Sequence, residues 1–151
     1  MIFYEVKLYS DMLLQVAYVG LQIYGWYYWL HGGKKHDELP VSRLPRKALG
    51  IWIFSILPST MLLGFFMHQK TDAALPYPDA FATVTSLVAQ WLLTRKRLEA
   101  WLFWIVVDVV SIAIYAMKGL FLTSGLYAVF LVMAAAGFLA WRKSMEESPT
   151  A

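Results

Sequence analysis

The stretch WLFWIVVDVVSIAIYAMKGL, residues 101–120, is apolar along most of its length and carries one carboxylate, Asp108, near its middle. Its length matches the ~20 residues that a helix needs to cross the hydrocarbon core of a bilayer. A carboxylate at the centre of such a helix costs about 2.5 to 3.5 kcal/mol on insertion scales. The stretch therefore predicts a membrane-spanning helix in which Asp108 makes a specific interaction.

The composition favours a membrane protein over a soluble domain. The 151 residues are 60% hydrophobic and only 15% charged, and their mean hydropathy is +0.54, whereas soluble domains carry about 25% charged residues. Cysteine is absent, and His31, His36 and His68 show no ligand spacing, so neither a metal nor a cofactor is predicted. The net charge of +3 fits basic loops, and no nucleic-acid partner is expected. The start MIFYEVK lacks the basic region and the cleavage site of a signal peptide.

Four further apolar segments accompany the opening stretch, so the chain is predicted to be an all-α polytopic membrane protein. Only helices satisfy their own backbone hydrogen bonds in lipid, and each segment is therefore predicted to be a helix. The weakest segment holds the polar residues Thr83, Ser86 and Gln90. The five segments are 12–30, 48–66, 79–94, 99–117 and 124–141.

The basic residues lie mainly in alternate connections between these segments. Ten of the thirteen Lys and Arg residues fall on one side of the predicted membrane, in 31–47, in 95–97 and at 142–143. By the positive-inside rule that side is cytoplasmic. The first span is therefore predicted to run from outside to inside, the C-terminus to be cytoplasmic, and the protein to lie in the inner membrane.

An internal similarity appears when the chain is shifted by 112 residues. Gly25 then pairs with Gly137, and Trp29 pairs with Trp141. Both copies are predicted to cross the membrane in the same direction, which is typical of parallel repeats, as in SWEET-type transporters. The aligned segments are LYSDMLLQVAYVGLQIYGWYYW (8–29) and LFLTSGLYAVFLVMAAAGFLAW (120–141).

The repeat predicts a plan of three helices, one linker helix and three helices, of which this chain carries five. Segment 8–30 is the last helix of the first repeat, 48–66 is the linker, and 79–142 is the second repeat. The first two helices of the plan are expected to be absent, and MIFYEV resembles the end of one of them. The whole of 1–151 is predicted to be a single transmembrane domain.

Polar and aromatic side chains recur at helical spacing within three spans. One interpretation is helix-to-helix hydrogen bonding for Ser, Thr and Gln and an interfacial aromatic belt for Trp101. Lys118, at a helix end, is expected to extend its ammonium to the membrane surface. The faces are Trp101, Trp104, Asp108, Ser111 and Tyr115 in the fourth span, Thr83, Ser86, Gln90 and Thr94 in the third, and Asp11, Gln15, Tyr18, Gln22 and Trp29 in the first.

For Asp108 two interpretations stay open. The carboxylate is either protonated or hydrogen-bonded within the bundle, or it contacts a substrate. Tryptophan and tyrosine faces beside a carboxylate suit a flat ring, above all a cationic one, because the ring quadrupole attracts positive charge. The amides of Gln90 and Gln15 suit sugar hydroxyls.

The segment from Gln90 to Lys143 closely resembles the second half of the PnuC-type nicotinamide riboside transporters, and LYSDMLLQVAYVGLQIYGWYYW resembles the third helix of that family. The family signature W-x-x-W-x-x-x-N/D reads here as Trp101, Trp104 and Asp108. The tract YAMKGL and the two G-x-x-x-W helix ends match as well. The resemblance covers nearly the whole chain except its loops and tail.

The resemblance implies seven helices in a SWEET-like fold, with a site midway across the membrane. It implies uptake of nicotinamide riboside by facilitated diffusion, followed by trapping through a cytoplasmic kinase. Trp101, Trp104 and Asp108 would hold the substrate and Gln90 would contact the ribose, while Gln15 and Tyr115 complete the predicted site. Two departures are the missing first two helices and Asp at a position where the family more often has Asn.

Other functions remain as alternatives. A relative that carries thiamine, riboflavin or a nucleoside is one, and a non-transporting structural or truncated subunit is another. An enzyme is not expected, because the sequence has no H-E-x-x-H or G-x-S-x-G motif and no second intramembrane carboxylate to pair with Asp108. Besides nicotinamide riboside and the lipid bilayer, a second copy of the chain is left open as a partner.

Overall fold

The residues that the structure describes form five α-helices, and each overlaps one of the five predicted segments. The computed structural model describes residues 2–33, 38–72 and 74–147, and in the first helix it describes the side chains of Val16 and of residues from Tyr18 onward. The prediction of an all-helical chain is confirmed. The helices are α1 (Ile2–His31), α2 (Arg46–Lys70), α3 (Pro76–Thr94), α4 (Ala100–Met117) and α5 (Phe121–Glu147).

Helix α1 begins at Ile2, ten residues before the predicted span. The expectation that MIFYEV ends a separate, earlier helix is therefore wrong, because residues 2–6 lie in the same helix as 8–30. The predicted start was late because Ser10 and Asp11 interrupt the apolar run. Two polar side chains lower the apolarity of a segment, but they do not prevent the backbone hydrogen bonding that makes a helix.

Helix α4 ends in a glycine cap that positions Lys118. Gly119 adopts a φ of 73°, a left-handed conformation that a residue without Cβ reaches without strain. Its N–H donates to the Ala116 carbonyl at 3.0 Å, and the Leu120 N–H donates to the Tyr115 carbonyl at 2.8 Å. This pair of bonds is the Schellman motif, and it leaves Lys118 at the very end of the helix.

Helix α3 lies at the centre of the bundle. It packs against α1, α2 and α4, and α5 packs against α4. Small side chains allow close approach of helices in membranes, and Ala80, Ala89 and Ala100 are fully buried here. The core cluster at this contact consists of Ile56, Val88, Ala89, Leu92, Ala100 and Phe103.

The loop before α2 is bound to the turn between α3 and α4. The Ser42 N–H donates to the Lys96 carbonyl at 3.1 Å, and the Leu98 N–H donates to the Ser42 carbonyl at 3.0 Å. The Glu99 carboxylate accepts the Leu44 N–H at 2.8 Å. These bonds fix the loop before α2 against the end of α3 and the start of α4. Lys34 and Lys35, which entered the charge argument, and His36 lie outside the described residues.

The outer surface is that of a multi-pass membrane protein. Within the described residues, α2, α4 and α5 are long and apolar enough to cross a bilayer. Segment 79–94, which forms most of α3, was predicted to be the weakest span. Large apolar side chains cover the outside of α2, as lipid contact requires; they include Ile51, Phe54, Leu57, Leu62, Phe65 and Phe66.

The C-terminal ends of α1, α3 and α5 meet at one end of the bundle. The Trp29 indole N–H donates to the carbonyls of Leu93 and Thr94, at 3.2 and 3.1 Å. The Trp29 ring also meets the Trp141 ring edge to face, with 5.6 Å between centroids. Helices α1 and α5 therefore run in the same direction, as parallel copies of a repeat must.

Candidate functional site

The predicted signature residues of α4 line one cavity of about 350 Å³ between α3, α4 and α5. We call it the tryptophan cavity. The helical spacing of Trp101, Trp104 and Asp108 places all three on the same side of α4, and α5 supplies the opposite wall. Its lining residues are Leu93, Trp101, Trp104, Asp108, Tyr127, Phe130, Met133 and Ala134.

Two polar groups of this cavity are buried, the Asp108 side chain and the Trp101 indole N–H. Asp108 is only 3% exposed. Near the second half of α4, Lys118 donates to Asp79 and Ser124 donates to the Ile112 carbonyl. Neither bond involves the Asp108 carboxylate. The Trp101 indole N–H is also buried without an acceptor in the described part of the chain. A buried donor without an acceptor is costly in the empty protein, and Asp108 lines the same cavity.

Trp101 is held inside the bundle by α5. A Cβ atom at Gly137 would lie 2.7 Å from the Trp101 ring, so only glycine leaves room for the indole in this position. The Trp141 ring meets Trp101 edge to face at 5.3 Å between centroids, a favoured aromatic geometry. The indole N–H of Trp101 is buried against protein, and its alternative role in an interfacial belt stays open.

A second cavity of about 280 Å³ adjoins the first, because Trp104 and Tyr127 line both. We call it the tyrosine cavity. The Tyr115 and Tyr127 rings stack there at 5.3 Å between centroids and 15° between planes. The full lining is Tyr18, Asp79, Ala82, Thr83, Ser86, Trp104, Val107, Ser111, Ile114, Tyr115 and Tyr127. Helices α1, α3, α4 and α5 all contribute to it.

The hydroxyls of Thr83 and Ser86 bond within their own helix rather than between helices. Thr83 donates to the Asp79 carbonyl at 2.9 Å, and Ser86 donates to the Thr83 carbonyl at 2.8 Å. Each donor is thus satisfied, while each hydroxyl oxygen keeps acceptor capacity toward the tyrosine cavity.

Gln90 does not share a cavity with Asp108. It lines a third cavity of about 190 Å³ between α1 and α3, with Gln22, Trp26 and Trp29 among its neighbours. Leu93 lies between the two sites and lines both the third cavity and the tryptophan cavity. Gln15, the other predicted glutamine, lies outside the described side chains.

Tyr127 is a lining residue that the sequence reasoning missed. A signal was present, because Tyr127, Phe130, Ala134, Gly137 and Trp141 recur at i, i+3, i+7, i+10 and i+14. This is the same spacing as that of the α4 face from Trp101 to Tyr115. The two matching faces meet, since α4 packs against α5.

One end of the tyrosine cavity carries an ion pair. The Lys118 Nζ donates to both carboxylate oxygens of Asp79, at 2.9 and 2.8 Å. Lys118 therefore points at the start of α3 and pairs with Asp79 there, and the expectation that its ammonium reaches the membrane surface stays a prediction.

A larger cavity, of about 400 Å³, lies away from these polar groups. It is enclosed by α2, α3 and α4, and its lining is apolar apart from Thr85. Its one polar lining group is the Thr85 hydroxyl, which is buried without a partner among the described residues. The cavity carries no charged group, so the candidate site is the pair of adjoining cavities around Trp104 and Tyr127.

A model of the family described as nicotinamide mononucleotide transporter matches residues 1–143. The chain belongs to this family. It is an all-α polytopic membrane protein of a transporter family, as predicted, and the assignment of 8–30, 48–66 and 79–142 to repeats and linker stays a prediction.

Individual relatives carry related names. The nicotinamide riboside transporter PnuC of Escherichia coli (strain K12) is 29% identical over 171 residues, which cover 97% of this chain and 72% of that protein. The riboflavin/roseoflavin transporter RibM of Streptomyces davaonensis is 25% identical over 84% of this chain and 61% of its own length.

A solved structure resembles this family member in fold. The crystal structure of the vitamin B3 transporter PnuC superimposes with a TM-score of 0.67 and 26% sequence identity. The match covers 95% of this chain and 66% of the solved one. The chain thus spans about two thirds of the length of its structural neighbour.

Proposed function

We propose that this protein serves the uptake of nicotinamide riboside across the inner membrane by facilitated diffusion. The observation that carries the proposal is the tryptophan cavity, in which a buried N–H of Trp101 and a buried carboxylate of Asp108 lie beside the Trp104 ring. Relatives named as nicotinamide riboside transporters support the choice of substrate.

The chemistry of the cavity suits a cationic aromatic ring joined to a sugar. A pyridinium ring over an indole face is attracted by the ring quadrupole, with about 0.5 to 2 kcal/mol per contact. A carboxylate accepts hydrogen bonds from two ribose hydroxyls, or pairs with the ring charge. The two adjoining cavities, of about 350 and 280 Å³, fall in the size range of small-molecule sites.

Roles follow for the predicted residues. Trp104 supplies the stacking surface, Asp108 the acceptor and Trp101 a donor, while Tyr115 lines the path through the tyrosine cavity. Gln90 and Gln15 act on the substrate only if it reaches beyond Leu93 toward α1. The sequence contains no nucleotide-binding loop, so ATP would not drive transport directly. In the proposed scheme a cytoplasmic kinase maintains the substrate gradient by phosphorylating the riboside.

The orientation belongs to the same proposal. The basic residues of 31–47, 95–97 and 142–143 lie on the cytoplasmic side, which leaves the Asp79–Lys118 end facing outward. A reporter that is active only outside the cytoplasm, fused after Ala151, should give no signal. A strong signal would reverse the orientation.

The test is calorimetric titration of the purified full chain with nicotinamide riboside and with its neutral, reduced-ring analogue. Trp104→Ala should weaken binding of the riboside ~2- to 30-fold. Asp108→Ala should weaken binding of both ligands, because buried substrate donors lose their acceptor at about 1 to 3 kcal/mol. Asp108→Asn separates the two roles of the carboxylate: a mild effect indicates contact with ribose hydroxyls, and a loss confined to the cationic ligand indicates pairing with the ring.

Matched controls lie on the same protein. Trp91→Ala removes an indole that lies outside the cavities and stacks on Arg95, and Asp72→Ala removes an exposed loop carboxylate. Both should leave affinity unchanged. Unchanged affinity in folded Trp104→Ala and Asp108→Ala would remove both residues from the site and leave a bundle-packing role.

A flavin is the second candidate substrate, because RibM is also a relative. Riboflavin offers a larger flat ring and carries no ring cation. Titration with riboflavin in parallel decides between the two, since Asp108→Asn should then be mild and nicotinamide riboside should bind weakly to the parent protein.

A further inference from the structure

The geometry points to the Asp79–Lys118 ion pair as a gate that closes the outward end of the tyrosine cavity. Asp79 lines this cavity and lies in the first turn of α3. Lys118 follows the last turn of α4 and holds both Asp79 oxygens, at 2.9 and 2.8 Å. The pair therefore joins two helices at the rim of a polar cavity that leads to Trp104.

The pair differs from the other ion pairs in the described residues. Arg142–Glu146 and Lys143–Glu147 each join residues four apart on the exposed face of α5. Asp79–Lys118 is the one described pair that joins two helices, and its side chains are 23 and 24% exposed. Because it joins the start of α3 to the end of α4, the Asp79–Lys118 pair is placed to hold the end of the tyrosine cavity closed.

Both partners are anchored by backbone that need not move when the side chains separate. Pro76 and the helical bonds after it place Asp79, whose own carbonyl accepts the Thr83 hydroxyl at 2.9 Å. The Gly119 cap places Lys118. Carboxylates near helix N-termini and ammoniums near C-termini are favourable by themselves, so each charge is stabilised in the open state as well.

The ion pair between Asp79 and Lys118 is also weak enough for the two side chains to separate. Ion pairs in partial contact with solvent are individually weak, and water can hydrate both charges when they part. A fully buried pair would leave bare charges on opening, which is far more costly.

The gate is linked by contact to the binding cavity. The Lys118 ammonium lies 5.7 Å from the centre of the Tyr115 ring. Tyr115 stacks on Tyr127, and Tyr127 lines both cavities. Movement of Lys118 away from Asp79 therefore changes the contact between its ammonium and the Tyr115 ring, which stacks on Tyr127.

The chain contains no cysteine, so one introduced thiol can report on the gate. Ser111→Cys is nearly isosteric, is 4% exposed and lines the tyrosine cavity; Thr83→Cys is a second position on the α3 side. We would measure the rate at which membrane-impermeant thiol reagents, one cationic and one anionic, modify the thiol from outside in sealed vesicles.

The expected result is faster modification when the pair is broken. Asp79→Asn and Lys118→Gln should each raise the rate about two- to fivefold with both reagents, the range given by loss of a partly exposed ion pair. The exchanged pair, Asp79→Lys with Lys118→Asp, should return the rate toward that of the parent. Glu146→Gln, which breaks an exposed pair on α5, should change nothing.

Three results would overturn the gate. These are an unchanged rate in Asp79→Asn at both thiol positions, a rise with only one reagent, which is a local charge effect, and an exchanged pair that labels as fast as the single variants. The inference rests on the proposed function in two respects, the substrate that passes the gate and the outward orientation of the Asp79–Lys118 end, and the reporter fusion after Ala151 tests the orientation separately. The labelling needs no substrate, so failure of nicotinamide riboside to bind would be seen separately, in the titrations.

Discussion

Helices α1 and α5 end in the same sequence pair, a glycine followed four residues later by a tryptophan, but the two pairs contact different partners. A Cβ at Gly25 would meet the Thr94 side chain at 3.3 Å, and Trp29 bonds to the end of α3. A Cβ at Gly137 would meet the Trp101 ring at 2.7 Å. The first pair joins one helix to another, whereas the second holds a residue of the candidate site.

The comparison shows that a repeated local pattern does not define a repeated role. In both copies the glycine makes room for a side chain of a neighbouring helix, and Trp29 and Trp141 meet each other. The side chain that packs against the glycine differs between the copies: it is Thr94 of α3 at Gly25 and Trp101 of α4 at Gly137. Substitutions in the two copies should therefore differ in size and in kind.

The largest effect is expected for Gly137→Ala. The added methyl group displaces the Trp101 indole, which is confined by Trp141 and the cavity wall, so overpacking should cost about 1 to 3 kcal/mol. Binding of nicotinamide riboside should fall along with the melting temperature, measured by calorimetry and by thermal unfolding in detergent. Gly125→Ala is the control on the same helix, because nothing lies within 4 Å of its added Cβ.

If Gly137→Ala binds and melts like the parent, Trp101 is not confined by α5. Gly25 and Gly137 would then not differ in how tightly they are packed against a neighbouring helix.

An intermediate effect is expected for Trp29→Phe. The phenyl ring keeps an aromatic contact with Trp141 but loses the N–H that donates to two carbonyls of α3, at about 0.5 to 1.5 kcal/mol. Thermal unfolding should report this loss with little change in substrate affinity. Trp141→Phe should invert the result, with a clear loss of affinity, since Trp141 supports Trp101 rather than α3. Equal affinity losses in the two variants would mean that both tryptophans serve the site.

The smallest effect is expected for Gly25→Ala. The added Cβ needs Thr94 to give way by a few tenths of an ångström, while alanine gains about 0.5 to 1 kcal/mol over glycine inside a helix. The two effects nearly cancel, so the melting temperature should hardly move. Adding Thr94→Ser removes the closest methyl group and should make the double variant more stable than the parent. A large fall in the melting temperature of Gly25→Ala would mean that the glycines of α1 and α5 are equally confined.

Much of the fold was predictable because it depends on local properties. Apolar runs of span length located all five helices to within a few residues at most ends, and the wrong start of α1 came from two polar residues. Helical periodicity placed Trp101, Trp104 and Asp108 together, since residues spaced by three and four share a face whatever surrounds them. The internal similarity indicated that α1 and α5 run in parallel.

Other features of the candidate site could not be read in this way. Gln90 shares its helix face with Thr83 and Ser86, yet it lines a different cavity, which α1 and α3 form without α4. Tyr127 belongs to the site only because the α5 face from Tyr127 to Trp141 packs against α4. Lys118 met Asp79 because two helix ends, 39 residues apart in the chain, lie side by side.

The sequence by itself determined that this chain forms membrane helices, which face of α4 is polar, and which family it belongs to, because apolarity, periodicity and motif spacing are properties of single segments. The tertiary structure alone decided which groups share a cavity, which glycine receives a tryptophan and which charges pair. The physical reason is that the rotation and height of one helix against another follow from side-chain packing across the whole bundle. No single segment contains that information.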